Sequence, residues 1–371
     1  MRGVGAMGVV LSILVAAGPG SPQSAGPAGQ AAAAMPPGRA SVAVTPGTVY
    51  SRLADAVLRT DRLIKTDPRP FFKNVESLII VEDGLVKFEA YYHGTDRNAP
   101  HILQSQTKSV VALLLGIAID KGYVKDEHER VSTYFPEWFN DGDALKAAVT
   151  IRDLLTMSAG FRWEEWNRYE DPDNDNRKMY ESGRWLEYAL SRPMARKPNT
   201  GFKYNSGCPM IVAALIEKAT GMTLDAFAAK VLFEPLGIEG YRWEKDSTGL
   251  CHAGGALFLR PYDMVKIGLT VMNGGTWNCR RIVSEAWIRR VLSPYFATSL
   301  DSSRYGYFWW IREVDLPAGG TARVVSAEGA GGQKLYILPE HRLLVAFTER
   351  NYTTPQVGPI FLKESVLPAL R

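Results

Sequence analysis

Beyond position 46 the chain is divided by the spacing at which apolar residues recur. The first such run repeats at helical spacing and predicts a helix around Tyr50 to Lys65. The stretch VESLIIVEDGLVKFEAYYHG then alternates apolar and polar residues on either side of Asp83 and Gly84, the pattern of a β-hairpin closed by a two-residue turn. At Ser105 the spacing becomes helical, in SQTKSVVALLLGIAI, and it stops at Gly122, a residue suited to a helix C-terminus. From about Val124 to Pro294 most segments read as helix: TIRDLLTMSAG, GRWLEYALSR, CPMIVAALIEKATG, TLDAFAAKVLFE and RPYDMVKIGLTVMNGG. Strand patterns return in YGYFWWI, ARVVSAEG, QKLYILP and RLLVAFTER, and PIFLKESVLPAL closes the chain as helix.

Strands from both ends therefore bracket a helical middle. The packing this predicts is α+β: one mostly antiparallel sheet built from N- and C-terminal strands and flanked by helices, with a helical subdomain at about 124–294 inserted and a cleft between the two. The N-terminus differs from the rest. Arg2 precedes an apolar run from Val4 to Ala17, followed by AAGPGSPQSAGPAGQAAAA. We expect an export signal over 1–25, a flexible linker over 26–46 and a single enzyme-sized domain over 47–371, giving a periplasmic or secreted chain. The run is shorter than the roughly 20 apolar residues of a membrane span, so no stable span is expected after signal removal. GVGAMG within it fits the glycine pattern of a dinucleotide site, but no strand can precede it and no nucleotide is expected there.

Composition narrows the chemistry. The 371 residues are 46% hydrophobic and 22% charged, enough for a large core, and the formal net charge of +4 without long basic runs gives no reason to expect a nucleic-acid partner. Cys208, Cys251 and Cys279 allow at most one bridge, so the fold is expected to stand on its core. Five scattered histidines form no H-E-x-x-H, and the chain has neither a G-x-S-x-G elbow nor a phosphate loop. No metal and no cofactor is expected.

Three short elements carry candidate chemistry. Ser105 and Lys108 lie three residues apart at a helix entrance, on one face, where unpaired N–H groups and the helix dipole favour developing negative charge. A lysine at the edge of an apolar helix also loses hydration, which lowers its pKa toward a value useful for proton transfer. The competing reading makes Ser105 a helix cap and Lys108 a solvated side chain. In FKYNSG, Tyr204 is a candidate base and Ser206 shares its face; alternatively Tyr204 is a packed aromatic. In GAGGQ, Gly331 and Gly332 let a ligand approach the backbone and an N–H there supplies an oxyanion donor, or the segment is a plain glycine turn.

These elements, in this order, resemble the serine β-lactamase-like hydrolases, a family of class C β-lactamases, D-alanyl-D-alanine carboxypeptidases, related esterases and 6-aminohexanoate-dimer hydrolases. The resemblance runs from about Val75 to Thr348 and includes VTIRDLLTMSAGFRWEE, RPMARKPNTGFKYNSG, GGALFLRPYDMVKIGLTVMNGG and GAGGQKLYILPEHRLLVAFT. It implies Ser105 as nucleophile, Lys108 as its proton partner, Tyr204 as general base, and an oxyanion hole from the backbone N–H groups of Ser105 and Gln333. Where β-lactamases of this group carry Y-x-N the chain has Tyr204-Asn205-Ser206, and where they carry K-T-G we align Ala330-Gly331-Gly332. Lys334, four residues along an extended strand, is then about 13 Å away and out of reach of the same anion. The loop from Trp163 to Tyr180 is either a solvated surface loop or the mouth of the cleft, with Trp166 and Tyr169 contacting substrate. The expected function is an exported serine hydrolase that cleaves a small ester, amide or peptide-like substrate through an acyl-serine. Its rivals are a β-lactamase or peptidoglycan carboxypeptidase, and a slowly acylated or non-catalytic sensor or scaffold.

Overall fold

The computed structural model describes residues 47–139, 142–298 and 303–370, so the expected export signal and linker lie outside the described residues. Eight strands form one antiparallel sheet: β1 (Val75–Glu82), β2 (Leu85–Tyr91), β3 (Phe296–Ala297), β4 (Arg304–Tyr305), β5 (Trp310–Asp315), β6 (Thr321–Gly329), β7 (Gln333–Leu338) and β8 (Leu343–Glu349). Their spatial order is β2-β1-β8-β7-β6-β5-β4-β3, so the N-terminal hairpin is zipped onto the last strand, with Ile79 opposite Ala346 and Val81 opposite Leu344. The hairpin turn is Asp83-Gly84, both at positive φ (52° and 75°), as a two-residue turn matched to strand twist requires. The α+β expectation is met.

Every residue of β1 is buried, because helices cover both faces of the sheet. Leu78 and Ile80 pack with Leu53, Val57 and Ile64 of α1 (Val49–Thr66) and with Phe361 and Val366 of the C-terminal helical segment. Ile79 and Val81 join the other core, with α2 (Gln106–Asp120), α3 (Gly207–Thr220) and α4 (Pro261–Met272). α2 is buried from Gln106 to Ala118, as expected of a helix that is apolar all round. It is thereby fixed at the junction of sheet and helical part, with its N-terminus at the cleft.

One expectation needs correction. YGYFWWI is not one strand: β4 ends at Tyr305 and β5 starts at Trp310, and between them Phe308 turns at φ +60° so that its carbonyl accepts the Ser109 hydroxyl at 2.7 Å. The middle is mostly helical, as expected, and also holds short strands. Leu257–Leu259 pairs on one side with His101–Ile102 and on the other with Arg242–Trp243 as a small sheet; runs of two or three residues are too short to show a period.

α2 also fixes a steric constraint. A Cβ at Gly116 would stand 2.1 Å from Cδ1 of Trp287, whose indole N–H donates to the carbonyl of Ala112 at 2.9 Å. Gly116→Ala should therefore lower stability by roughly 1–3 kcal/mol through overpacking, outweighing the ~1 kcal/mol a helical Gly-to-Ala change otherwise gains. A lower urea midpoint is the expected result; an unchanged or higher one would show that Trp287 moves aside freely.

Candidate active site

The entrance of α2 is built by backbone rather than by its first side chain. Gln104 sits at φ +50°, a left-handed conformation uncommon outside glycine and a usual mark of functional sites. The N–H groups of Gln106, Thr107 and Lys108 bond to the carbonyls of Leu103, Gln104 and Ser105 at 3.2, 3.0 and 3.1 Å. Ser105 occupies the cap position without a capping hydrogen bond from its side chain. Its hydroxyl is left for Lys108, whose Nζ lies 2.8 Å from Ser105 Oγ and donates to the Gly254 carbonyl at 2.6 Å. Lys108 is 1% exposed, so it is not the solvated helix residue of the competing reading. Burial pushes its pKa down to about 8, against the opposing charge of Glu165.

Tyr204 is buried beside the Ser105 side chain. Its ring stacks near Trp310 at 6.0 Å and lies 5.1 Å from Trp166, with the Lys108 Nζ 5.0 Å from its centroid. Burial, then the charge of Glu165, drive this phenol far above its ordinary pKa, despite the opposing effect of the Ser105 side chain. Lys108 and Tyr204 are thus shifted in opposite senses: the free amine is accessible near neutral pH and the phenolate is not.

Ser105, Tyr204 and Ser206 line one cavity of about 260 Å³ together with Trp166 and Tyr169, so five of the expected residues meet there. The loop from Trp163 to Tyr180 is its wall, contributing Glu165, Asn174 and Asn176 as well. Its base is clamped by Asp175, which accepts the Glu164 N–H at 2.7 Å and the Tyr188 hydroxyl at 2.6 Å. Burial holds the Tyr169 hydroxyl up at about 12.

Glu165 is the residue that sequence reasoning passed over. It accepts the Ser206 N–H at 2.7 Å, the Ser206 hydroxyl at 2.9 Å and the Trp163 indole N–H at 2.5 Å. The Ser206 hydroxyl proton is therefore committed to Glu165, and only its lone pairs remain for a substrate. Nothing in WEEW separates this carboxylate from its neighbours, since three segments remote in sequence must fold together first. His252 is a second such residue: it lines the cavity, packs its ring 4.6 Å from that of Trp185, and its Nδ1 has no partner among the described residues. Burial, then the nearby Lys108, push its pKa down to about 3, so it is neutral.

The glycine segment needs a correction in register. Glu328, Gly329 and Ala330 line the cavity; Gly331, Gly332 and Gln333 do not. Gly329 is pressed so close to the chain entering α2 that a Cβ there would stand 2.2 Å from the Leu103 carbonyl oxygen, which brings the following backbone beside Ser105. Gly331 and Gly332, at φ +79° and +98°, form the turn itself and pack against Tyr352 and Glu349. Gln333 is fully buried and its side chain donates to the Glu349 carbonyl at 2.5 Å. Tyr352 in turn accepts from Gln104 Nε2 at 3.1 Å, so this turn braces the strained residue before Ser105. Lys334 also needs correction: the turn folds it back opposite Glu328, and it lines the cavity. Distance along one strand was the wrong measure because β6 and β7 form a hairpin.

No group of three His, Cys, Asp or Glu side chains among the described residues is arranged to hold a metal ion, and no helix among them is long and apolar enough to cross a membrane. The three cysteines are free, two buried and Cys279 exposed.

A family model described as Beta-lactamase matches residues 76–359. The chain is 23% identical over 310 residues to the 6-aminohexanoate-dimer hydrolase of Paenarthrobacter ureafaciens, covering 77% of this chain and 76% of that protein. It is 29% identical over 135 residues to the lovastatin esterase of Penicillium rubens, covering 34% of this chain and 32% of that one. A solved structure, a putative 6-aminohexanoate-dimer hydrolase from Bacillus anthracis, superposes with a TM-score of 0.69 at 20% identity, over 80% of this chain and 79% of that one. At that identity the structural likeness bears on the fold alone.

The opposed shifts of Lys108 and Tyr204 generate a pH prediction. An amine accepts a proton only when free, so with its pKa near 8 kcat/KM should rise with pH through about that value. Glu165 favours the charged ammonium, so Glu165→Gln should lower the pKa and move the rising limb to lower pH. pH–rate profiles of both proteins on a nitrophenyl ester check this; a limb that stays or moves upward would assign it to another group.

Proposed function

The chain belongs to the beta-lactamase family, and on that premise we propose that it is a serine hydrolase that cleaves small esters or amides through an acyl-serine intermediate. The observation that carries the reading is the buried Lys108 Nζ 2.8 Å from Ser105 Oγ on the wall of a cavity. The free amine of Lys108 takes the hydroxyl proton as Oγ attacks the carbonyl carbon, and the Gly254 carbonyl holds the resulting ammonium. Tyr204, a neutral phenol beside Ser105, hands its proton to the departing alcohol or amine as it takes one from Lys108, so that no phenolate forms. The oxyanion is met by the backbone N–H of Ser105 and, in place of the Gln333 N–H first expected, by that of Ala330. Water then enters, loses a proton by the same route and releases the acid. No metal or cofactor takes part in this scheme.

The aromatic wall of Trp166, Tyr169 and Trp310 suits an apolar acyl or leaving group, and the relatives named for a 6-aminohexanoate dimer and for lovastatin support amide and ester chemistry respectively. The apolar run at Val4 to Ala17 supports export, with the enzyme acting in the periplasm or outside the cell.

Ser105→Ala should abolish labelling by a fluorophosphonate, read by intact mass, and cut ester turnover by about a thousandfold or more without unfolding the chain. Turnover above about a tenth of wild type would point to another nucleophile. Labelling without turnover in the wild type would favour a sensor over an enzyme. Tyr204→Phe should lower kcat by about 100-fold while leaving the rising pH limb in place, as for loss of a proton relay. A limb that disappears would make Tyr204 the base instead.

A further inference from the structure

Beside Ser105 the cavity wall carries a carboxylate already held by two cations. One oxygen of Glu328 accepts from Lys334 Nζ at 2.6 Å; the other accepts from Arg312 Nη1 and from the Ser326 hydroxyl, each at 2.6 Å. Glu328 and Lys334 are cross-strand partners on β6 and β7, and both line the cavity that contains Ser105. Burial alone drives this carboxyl toward its neutral form, but Lys334 and Arg312 overcome that and hold it well below the ordinary carboxylate range. Its charge reaches the reaction centre, where it is one of the anions that raise the Tyr204 phenol.

An ammonium on the cavity wall, with a guanidinium behind it, is the chemistry that holds a carboxylate, and here a carboxylate of the chain itself sits between Lys334 and Arg312. We propose that Glu328 is the built-in occupant of an anion site, and so a specificity-determining residue: substrates are neutral or cationic on the side that meets Gly329 and Ala330, and those bearing a carboxylate there are rejected. An incoming carboxylate has two options. It can lie beside Glu328 and meet a like charge, or it can take the cations and leave Glu328 buried without them, which is the costlier arrangement for any buried ion. The cluster also ties β5, β6 and β7 together, and a purely structural role would leave substrate choice unaltered.

This inference rests on the serine-hydrolase reading, and the test separates the two. The quantity to measure is the ratio of kcat/KM for nitrocefin, which carries a carboxylate, to that for nitrophenyl butyrate, which is neutral. In Glu328→Gln and Glu328→Thr the ratio should rise about tenfold, the effect of gaining one charge-assisted contact. A rise below threefold in both overturns the proposal. Should neither variant fold, Lys334→Gln keeps the carboxylate and removes one cation, and the ratio must then fall at least threefold or the proposal is overturned. Ester hydrolysis with an unmoved ratio counts against Glu328 alone, whereas no ester hydrolysis by the wild type counts against the serine-hydrolase reading itself.

Discussion

Burying Lys108 at 1% exposure is possible only because its Nζ meets two oxygens, Ser105 Oγ and the Gly254 carbonyl, and much of the architecture supplies those partners. An ammonium without them would be severely penalised in an apolar interior. α2 brings the serine, the segment after His252 brings the carbonyl, and sheet and helical part close around both. The same desolvation that makes the lysine expensive to fold lowers its proton affinity to a useful range. Folding cost and proton affinity here are one physical term seen from two sides.

The turn between β6 and β7 links the sheet to that lysine. Gly329 lets β6 press against the chain entering α2, while Gly331 and Gly332 take left-handed conformations and pack on Tyr352 and Glu349. Glu349 is itself nearly enclosed; burial pushes its pKa up to about 7, against hydrogen bonds from Asn351 and the N–H groups of Gly358 and Val357. Through Tyr352 the turn also holds Gln104, whose left-handed backbone aims Ser105 into the cavity. The glycines thus have separate duties: the first sets a close approach, the later two set a turn.

Electrostatically the cavity contains two carboxylates with different work. Glu165 takes its hydrogen bonds from Ser206 and Trp163, neutral donors, and its charge acts outward on Lys108 and Tyr204. Glu328 spends its charge on Arg312 and Lys334. One tunes proton affinity and the other fills a place that an anionic ligand would want.

The sequence by itself determined the fold class and the contact at the centre of the candidate site. The alternation around Asp83-Gly84, the all-apolar helix after Ser105 and the late run of strands gave the sheet and the buried helix, because each is a periodic signal over many residues. The spacing of Ser105 and Lys108 is a property of one helical turn, so their contact was legible before any tertiary packing was known. Family membership follows from the order of such segments. What tertiary structure alone decided depends on chain reversal. Lys334 looked distant when counted along one strand and lies opposite Glu328 across a hairpin. Ala330 and not Gln333 reached the cavity because the turn glycines carry the chain away from it. Glu165 and His252 had no local signal at all, since a carboxylate or an imidazole acquires its role from neighbours that are remote in sequence and adjacent only once the core has closed.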